Sequence, residues 1–186
     1  MSTILTLRLR LVCEVSSMKI AMIVAMDEDG CIGNQGDLPW RLKSDMARFK
    51  ALTEADGYNA VIMGRKTWDS LPDSFRPLPE RVNIVMSRGT GWSHADADVA
   101  LYPGRAIEIA YAEACDECWV IGGAQIYAMF LDQIEEIHVT TVHTSGSGDV
   151  KFPEWDRSGW TETVVETLEG DADNAYATTY SIWKKS

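Results

Sequence analysis

No stretch of this chain is apolar for long enough to cross a bilayer, which takes about 20 consecutive residues. The first 17 residues make a poor secretory leader, because Arg8 and Arg10 fall inside the would-be apolar region. Cysteine is scarce. The four cysteines, at positions 13, 31, 115 and 118, form no disulfide framework, which points to a reducing, cytoplasmic setting. The Cys115-Asp-Glu-Cys118 pair lacks the second pair or histidine cluster that would complete a zinc site. It is read as buried or half-buried small side chains, and no metal is expected. His94, His138 and His143 belong to no partner pattern and are read as surface or strand residues. Positive charge is in deficit: a net charge of −11 argues against nucleic acid as a partner. There is no GxGxxG, so the ordinary dinucleotide fingerprint is missing. No linker, repeat or low-complexity segment divides the 186 residues, a length sufficient for one domain with a full core.

What is present is unevenly distributed. Residues 61–90 carry five basic and three acidic side chains, whereas residues 91–186 carry five basic and seventeen acidic ones. A net-basic segment in an acidic chain suggests a local anion site. Lys19 to Met26, Asn59 to Gly64, Arg81 to Ser87 and Cys118 to Ile121 are nearly continuous apolar runs, the mark of strands covered on both faces. Val99 to Tyr102 and Glu136 to His143 are further strands. Helical stretches fall at about Leu42–Glu54, Arg65–Leu71, Arg105–Cys115 and from Gly122-Gly123 through Leu131. Asp27 to Asp37 holds three glycines and reads as a mobile loop. Thr161–Leu168 and Ala175–Trp183 alternate and read as an antiparallel pair. The sum is a single-domain α/β fold: a mostly parallel central sheet of about eight strands, helices on both faces, and an antiparallel C-terminal strand.

Three features suggest chemistry. Asp45 shares a helical face with Phe49 and Leu52, which is odd for a plain amphipathic helix and fits either a rim charge or a carboxylate kept in a pocket. Two strand ends, Gly64-Arg65-Lys66-Thr67 and Ile121-Gly122-Gly123-Ala124-Gln125-Ile126-Tyr127, run from glycine directly into a helix. There the backbone N–H groups and the helix dipole favour an anion. Ser87-Arg88 closes a third strand in a similar way. Phosphate contacts spread over three loops suit a dinucleotide, and the cations suit the extra phosphate of NADP.

Together, Leu38-Pro39-Trp40, Asp45, Phe49-Lys50, the stretch Val61-Ile62-Met63-Gly64-Arg65-Lys66-Thr67-Trp68, Arg76-Pro77-Leu78-Pro79-Glu80-Arg81-Val82-Asn83-Ile84, the double-glycine turn, Val139-Thr140 and Gly148-Asp149 closely resemble dihydrofolate reductase. The resemblance runs in register from about Met18 to Trp183. It implies NADPH as cofactor and dihydrofolate as substrate, with antifolates such as trimethoprim or methotrexate as inhibitors. It also implies a role in one-carbon metabolism, a monomer, and no membrane partner. Asp45 then matches the acid that binds the pterin ring, Thr140 its hydroxyl partner, and Leu38 and Trp40 the hinge side of the lid over the catalytic slot. Ile23, Val24 and Ile121 match strand residues beside the rings. Leu38, Met46, Phe49, Leu71 and Leu78 match the apolar walls around pterin and aminobenzoate. Arg81 matches the clamp on the folate carboxylate. Ala25, Ile32, Gly64, Arg65, Lys66, Thr67, Ser87, Arg88 and Ile121, with Gly122, Gly123, Ala124, Gln125, Ile126 and Tyr127, match the cofactor site. The family has a cis peptide between the two glycines. Gln125 departs from the family pattern, standing where bacterial relatives often carry arginine. The related NADPH-dependent reductase of riboflavin synthesis shares the fold and is the alternative, but the Pro-Trp…Asp…Phe-Lys stretch and Arg81 favour folate.

Residues 1–17 lie outside the resemblance and are read as a dispensable, poorly ordered extension ahead of a domain over 18–186. A chain starting at Met18 is expected to fold and keep activity, checked by its melting curve and turnover; loss of either would refute this.

Overall fold

Continuous apolar segments become strands here because helices cover the sheet on both sides. The computed structural model describes residues 18–55, 57–89 and 91–186; the readings of residues 1–17 lie outside the described residues. The strands are β1 (Lys19–Asp27), β2 (Cys31–Gly33), β3 (Asn59–Gly64), β4 (Arg81–Met86), β5 (Asp98–Ala100), β6 (Glu117–Gly122), β7 (Glu136–Val142), β8 (Val150–Lys151), β9 (Trp160–Leu168) and β10 (Thr178–Lys185). The helices are α1 (Lys43–Glu54), α2 (Arg65–Ser70), α3 (Pro103–Ala112) and α4 (Ala124–Phe130). Eight strands form one sheet in the order β5-β4-β3-β6-β1-β7-β10-β9. All pairings from β5 to β7 are parallel, and β10 joins β7 and β9 antiparallel.

Side-chain alternation divides the core. Met22, Val24, Ile62, Ile84 and Val120 face α3 and α4 through Ala106, Ile109, Ala110, Ile126 and Phe130. Ala21, Val61, Met63, Val85 and Trp119 face the other way, onto Trp68 of α2 and Phe49 and Leu52 of α1. Each fully buried branched or aromatic side chain contributes about 1.5–3 kcal/mol of transfer free energy. Trp68, Trp119 and Phe130 are the largest of them. The single-domain α/β expectation, with helices on both faces and an antiparallel C-terminal end, matches this architecture.

Three details differ from the sequence reading. Part of the supposed loop 27–37 is strand: β2 pairs antiparallel with β8 as a separate two-stranded sheet. Three- and two-residue strands are too short to show periodicity. The helix α3 starts at Pro103, whose ring suits the first helical position. His138 is a strand residue, as read, but it has partners the sequence did not show. It is buried, with Nδ1 2.6 Å from the Tyr180 hydroxyl and Nε2 2.7 Å from Glu136 Oε1. Lys19, His138 and Lys184 hold the Glu136 carboxyl down to about 2 against the cost of its burial. Burial lowers the imidazole of His138, with Glu136 opposing. Cys115 and Cys118 are buried, and burial pushes the Cys115 thiol up to about 11.

The β2–β8 sheet is held at a close approach. An atom added at the Cβ position of Gly148 would overlap the Gly33 carbonyl. Beside it, Asp149 N donates to Gly33 O at 3.1 Å and Asp149 Oδ1 accepts from Gln35 N at 3.1 Å. Gly148→Ala is therefore expected to part the two segments. Amide exchange at Gln35 and Asp149 should accelerate about tenfold or more, with a far smaller change in global stability.

Candidate active site

The centre of the site is a bond between the first turn of α1 and the middle of β7. Thr140 Oγ1 donates to Asp45 Oδ1 at 2.6 Å. The Asp45 side chain keeps 20% of its exposure, and its Oδ2 accepts no hydrogen bond among the described residues. One oxygen is thus anchored by the protein and the other is open to an incoming donor. Burial pushes the Asp45 carboxyl above the ordinary carboxylate range, while the Thr140 bond and the Arg48 charge pull it down.

A second ionisable group, not singled out from the sequence, stands beside this acid. Arg48 lies one turn on, 3.4 Å from Asp45 Oδ1 and 3.4 Å from Thr140 Oγ1. Its other Nη donates to Glu166 of β9, and its guanidinium stacks on Tyr180, 4.3 Å from the ring centroid. The i,i+3 spacing of Asp45 and Arg48 was visible in the sequence, but it reads as an ordinary surface pair.

The apolar walls gather around this acid. Phe49, Leu71 and Ile23 are partly buried against the α1/α2 face of the sheet, as is Ile121, and Leu78 is buried there. Leu38 and Met46 are half exposed and are available to cover a ligand. Val24 does not join this wall: its side chain turns to the opposite face and packs in the α3/α4 core. Only its backbone remains on offer. Trp40 is buried with Leu42 and Val142 against Ala25. Arg81 is almost wholly buried. Nη1 donates to Thr53 Oγ1 at 2.7 Å, Nη2 to Glu54 Oε1 at 3.0 Å and Nε to Pro79 O at 2.8 Å. Among the described residues three of the five guanidinium donors are occupied.

The second half of the site is made by missing side chains. Gly64 ends β3 and Gly122-Gly123 ends β6, and the latter two are joined by a cis peptide. Gly122 has φ +110°, and a Cβ there would lie 3.0 Å from the Tyr127 ring. A Cβ on Gly64 would meet Ile126 at 3.0 Å, and one on Gly123 would meet Thr67 Oγ1 at 3.5 Å. The helices α2 and α4 start on these glycines without a side-chain cap, so their first N–H groups stay unclaimed by side chains. Arg65, Lys66 and Arg88 are exposed at this edge, as is Gln125, and Ala124 opens α4. Ser87 is buried, with its Oγ taking the Gly89 amide at 3.3 Å. Tyr127 joins the two halves: its hydroxyl donates to Ile23 O at 2.8 Å. Ile32 packs against the α3/α4 core at the base of the lid.

The 27–37 segment is fastened by a buried acid that the sequence reading left in a loop. Asp27 Oδ1 accepts from Cys31 N at 2.8 Å and Asp29 N at 3.0 Å, and Oδ2 accepts from Ser147 N at 3.1 Å. These donors hold its carboxyl below the ordinary range despite the opposing cost of burial.

The family model described as dihydrofolate reductase matches residues 19–185. The chain is 36% identical to the dihydrofolate reductase of Staphylococcus haemolyticus, over 91% of this chain and 98% of that protein. It is 35% identical to the dihydrofolate reductase of Bacillus subtilis (strain 168), over 89% and 94%. Among solved structures it resembles dihydrofolate reductase from Enterococcus faecalis complexed with NADP(H) and RAB-propyl, with a TM-score of 0.76 and 31% identity, covering 90% of this chain and 96% of that one.

A carboxyl raised by burial resists ionisation in the folded state. Below the ordinary carboxylate value both folded and unfolded chains carry it neutral. Above that value the folded state is penalised, first for holding the proton and then for burying the charge. Asp45→Asn should therefore raise Tm at pH 7 by about 2–4 °C, and the gain should close as pH falls toward 4. A calorimetric pH series checks both the sign and the window.

Proposed function

The chain belongs to the dihydrofolate reductase family, and from that premise we propose that this site reduces 7,8-dihydrofolate to 5,6,7,8-tetrahydrofolate with NADPH. The observation that carries the reading is the half-open Asp45 carboxylate, anchored by Thr140 on one oxygen and flanked by apolar walls. A pterin presents a ring N–H and an amino group side by side, and one carboxylate can accept from both.

The glycine-lined strand ends fit the cofactor: backbone approaches at Gly64 and Gly122, uncapped N–H groups, and Arg65, Lys66 and Arg88 for its phosphates. NADPH, when bound, supplies the hydride that adds to C6 of the substrate. The chain's own work is to bind and to orient. Asp45 fixes the pterin edge, Phe49 and Met46 flank it, and Ile23 and Ile121 line the strand side. Arg81 takes the far carboxylate of the substrate on its remaining donors. Leu38 and the loop behind it close over the slot and exclude bulk water. The N5 nitrogen must gain a proton as C6 gains the hydride. Asp45 holds the pterin from the opposite edge, so the proton reaches N5 through water, and the rate falls as pH rises. The riboflavin-pathway alternative is not favoured, because the relatives are dihydrofolate reductases and Arg81 has no carboxylate to meet in a ribitylated pyrimidine.

In the same reading the protein is a cytoplasmic monomer that binds antifolates such as trimethoprim or methotrexate. Among the described residues no helix is long and apolar enough to cross a membrane. Loss of NADPH absorbance on adding dihydrofolate tests the activity, and no loss with both ligands bound would overturn it. Arg81→Leu should raise KM for dihydrofolate about 10–100-fold, the equivalent of one charge-assisted contact of about 1.5–3 kcal/mol, with kcat far less affected.

A further inference from the structure

Arg48 is placed to do more than close a helix-surface ion pair. Its side chain is only 14% exposed, and it touches four groups from four elements: Asp45 on α1, Thr140 on β7, Tyr180 on β10 and Glu166 on β9. One Nη faces the Asp45 oxygen that Thr140 also holds; the other faces Glu166. The guanidinium is thus shared between an acid of the slot and an acid of the sheet edge, with the Tyr180 ring as its floor. We propose that Arg48, poised between Asp45 and Glu166, is a positioning residue that sets the pH at which Asp45 and the ring bound to it give up their proton, and with it the pH range over which the reduction is fast.

The geometry carries this because the other neighbours of Asp45 are fixed in charge. Thr140 is neutral. Tyr127, on α4, and Tyr180 are both raised, chiefly by burial, and stay neutral. His138, lowered by burial, contacts the Tyr180 hydroxyl and is bonded to Glu136 through its other ring nitrogen. That leaves Arg48 as the cation facing the carboxylate and Glu166 as the anion modulating that cation. A cation within about 4–6 Å favours the ionised carboxylate. Glu166 draws the same guanidinium outward and weakens that pull.

The two partners of Arg48 therefore oppose each other, which separates this role from a merely structural one. Arg48→Leu and Glu166→Gln break the same ion pair, yet they should move the pH profile in opposite directions. The rest of the argument rests on the dihydrofolate reading, so hydride transfer is followed by stopped flow with NADPH and its C4-deuterated form, each profile scaled to its own low-pH plateau. On the alkaline limb Arg48→Leu should run about threefold or more above the parent and Glu166→Gln about twofold or more below it, with Arg48→Lys near the parent. The Asp45 side-chain carbon shift, titrated by NMR in the ligand-free variants, should move in the same opposed sense. Equal or same-sign shifts in the two variants, by both methods, would overturn the proposal. Should Asp45→Asn turn over dihydrofolate undiminished, the underlying reading fails instead, and the ligand-free titration still decides whether Arg48 governs Asp45.

Discussion

The site depends on one hydrogen bond between residues 95 positions apart, from Thr140 Oγ1 to Asp45 Oδ1. It ties the first turn of α1 to a strand deep in the sheet. Apolar burial commits the helix only lightly: Thr53 is its one buried residue, and Phe49 and Leu52 are only partly covered. Hydrogen bonds hold its two ends, from Ser44 to Asn174 and from Arg81 to Thr53 and Glu54. A short bond to a half-buried carboxylate pins it, because releasing Thr140 would leave the acid without its nearest donor. The acid that is available to bind a ligand is therefore also part of what keeps the slot in shape.

The two halves of the site are built by opposite means. Around Asp45 the protein supplies groups: a carboxylate, a hydroxyl, a guanidinium, and aromatic and aliphatic walls. At the ends of β3 and β6 it withholds them. Gly64 and Gly122 leave space that a methyl group would fill against Ile126 and Tyr127, and uncapped helix starts leave N–H groups free. Tyr127 links both strategies. Its ring is the reason residue 122 must be glycine, and its hydroxyl is bonded to Ile23 on the strand that runs under the slot.

Much of this was legible from residue order, and the reasons differ by element. β1, β3, β4 and β6 showed as continuous apolar runs because helices cover both faces, a condition that leaves little room for another reading. β9 and β10 showed by alternation, because β9 is an edge strand with Val164, Val165 and its acids exposed. The β2–β8 sheet did not show, since strands this short are defined by the contact between Gly148 and Gly33 and not by periodicity. Asp27 looked like one more loop acid, and only the convergence of three backbone amides reveals that it ties the 27–31 turn to Ser147. Asp45, Phe49 and Arg81 were singled out by their pattern. Val24 was placed by the same pattern, but strand alternation sends its side chain to the other face. Arg48 was missed because a helical acid–base pair three apart is common, and its third partner lies 118 residues away.

That distant partner gives part of the acidic C-terminal region a use beyond solubility. Residues 91–186 carry seventeen of the chain's acids, and most of β9 faces solvent, where repulsion among them costs little. Glu166 sits where the edge strand meets α1, and its carboxylate is nearly half exposed. An exposed acid can hold an arginine without a large desolvation cost of its own. If Arg48 faced Asp45 alone, the guanidinium would lock the slot's carboxylate in its ionised form and compete with any ligand for it. Shared with Glu166 and floored by Tyr180, the same guanidinium is satisfied from outside the slot. Asp45 then keeps one oxygen unclaimed, which is the condition for binding a ligand with two adjacent donors. The surplus charge on the edge strand and the open oxygen in the slot are thus two ends of one arrangement.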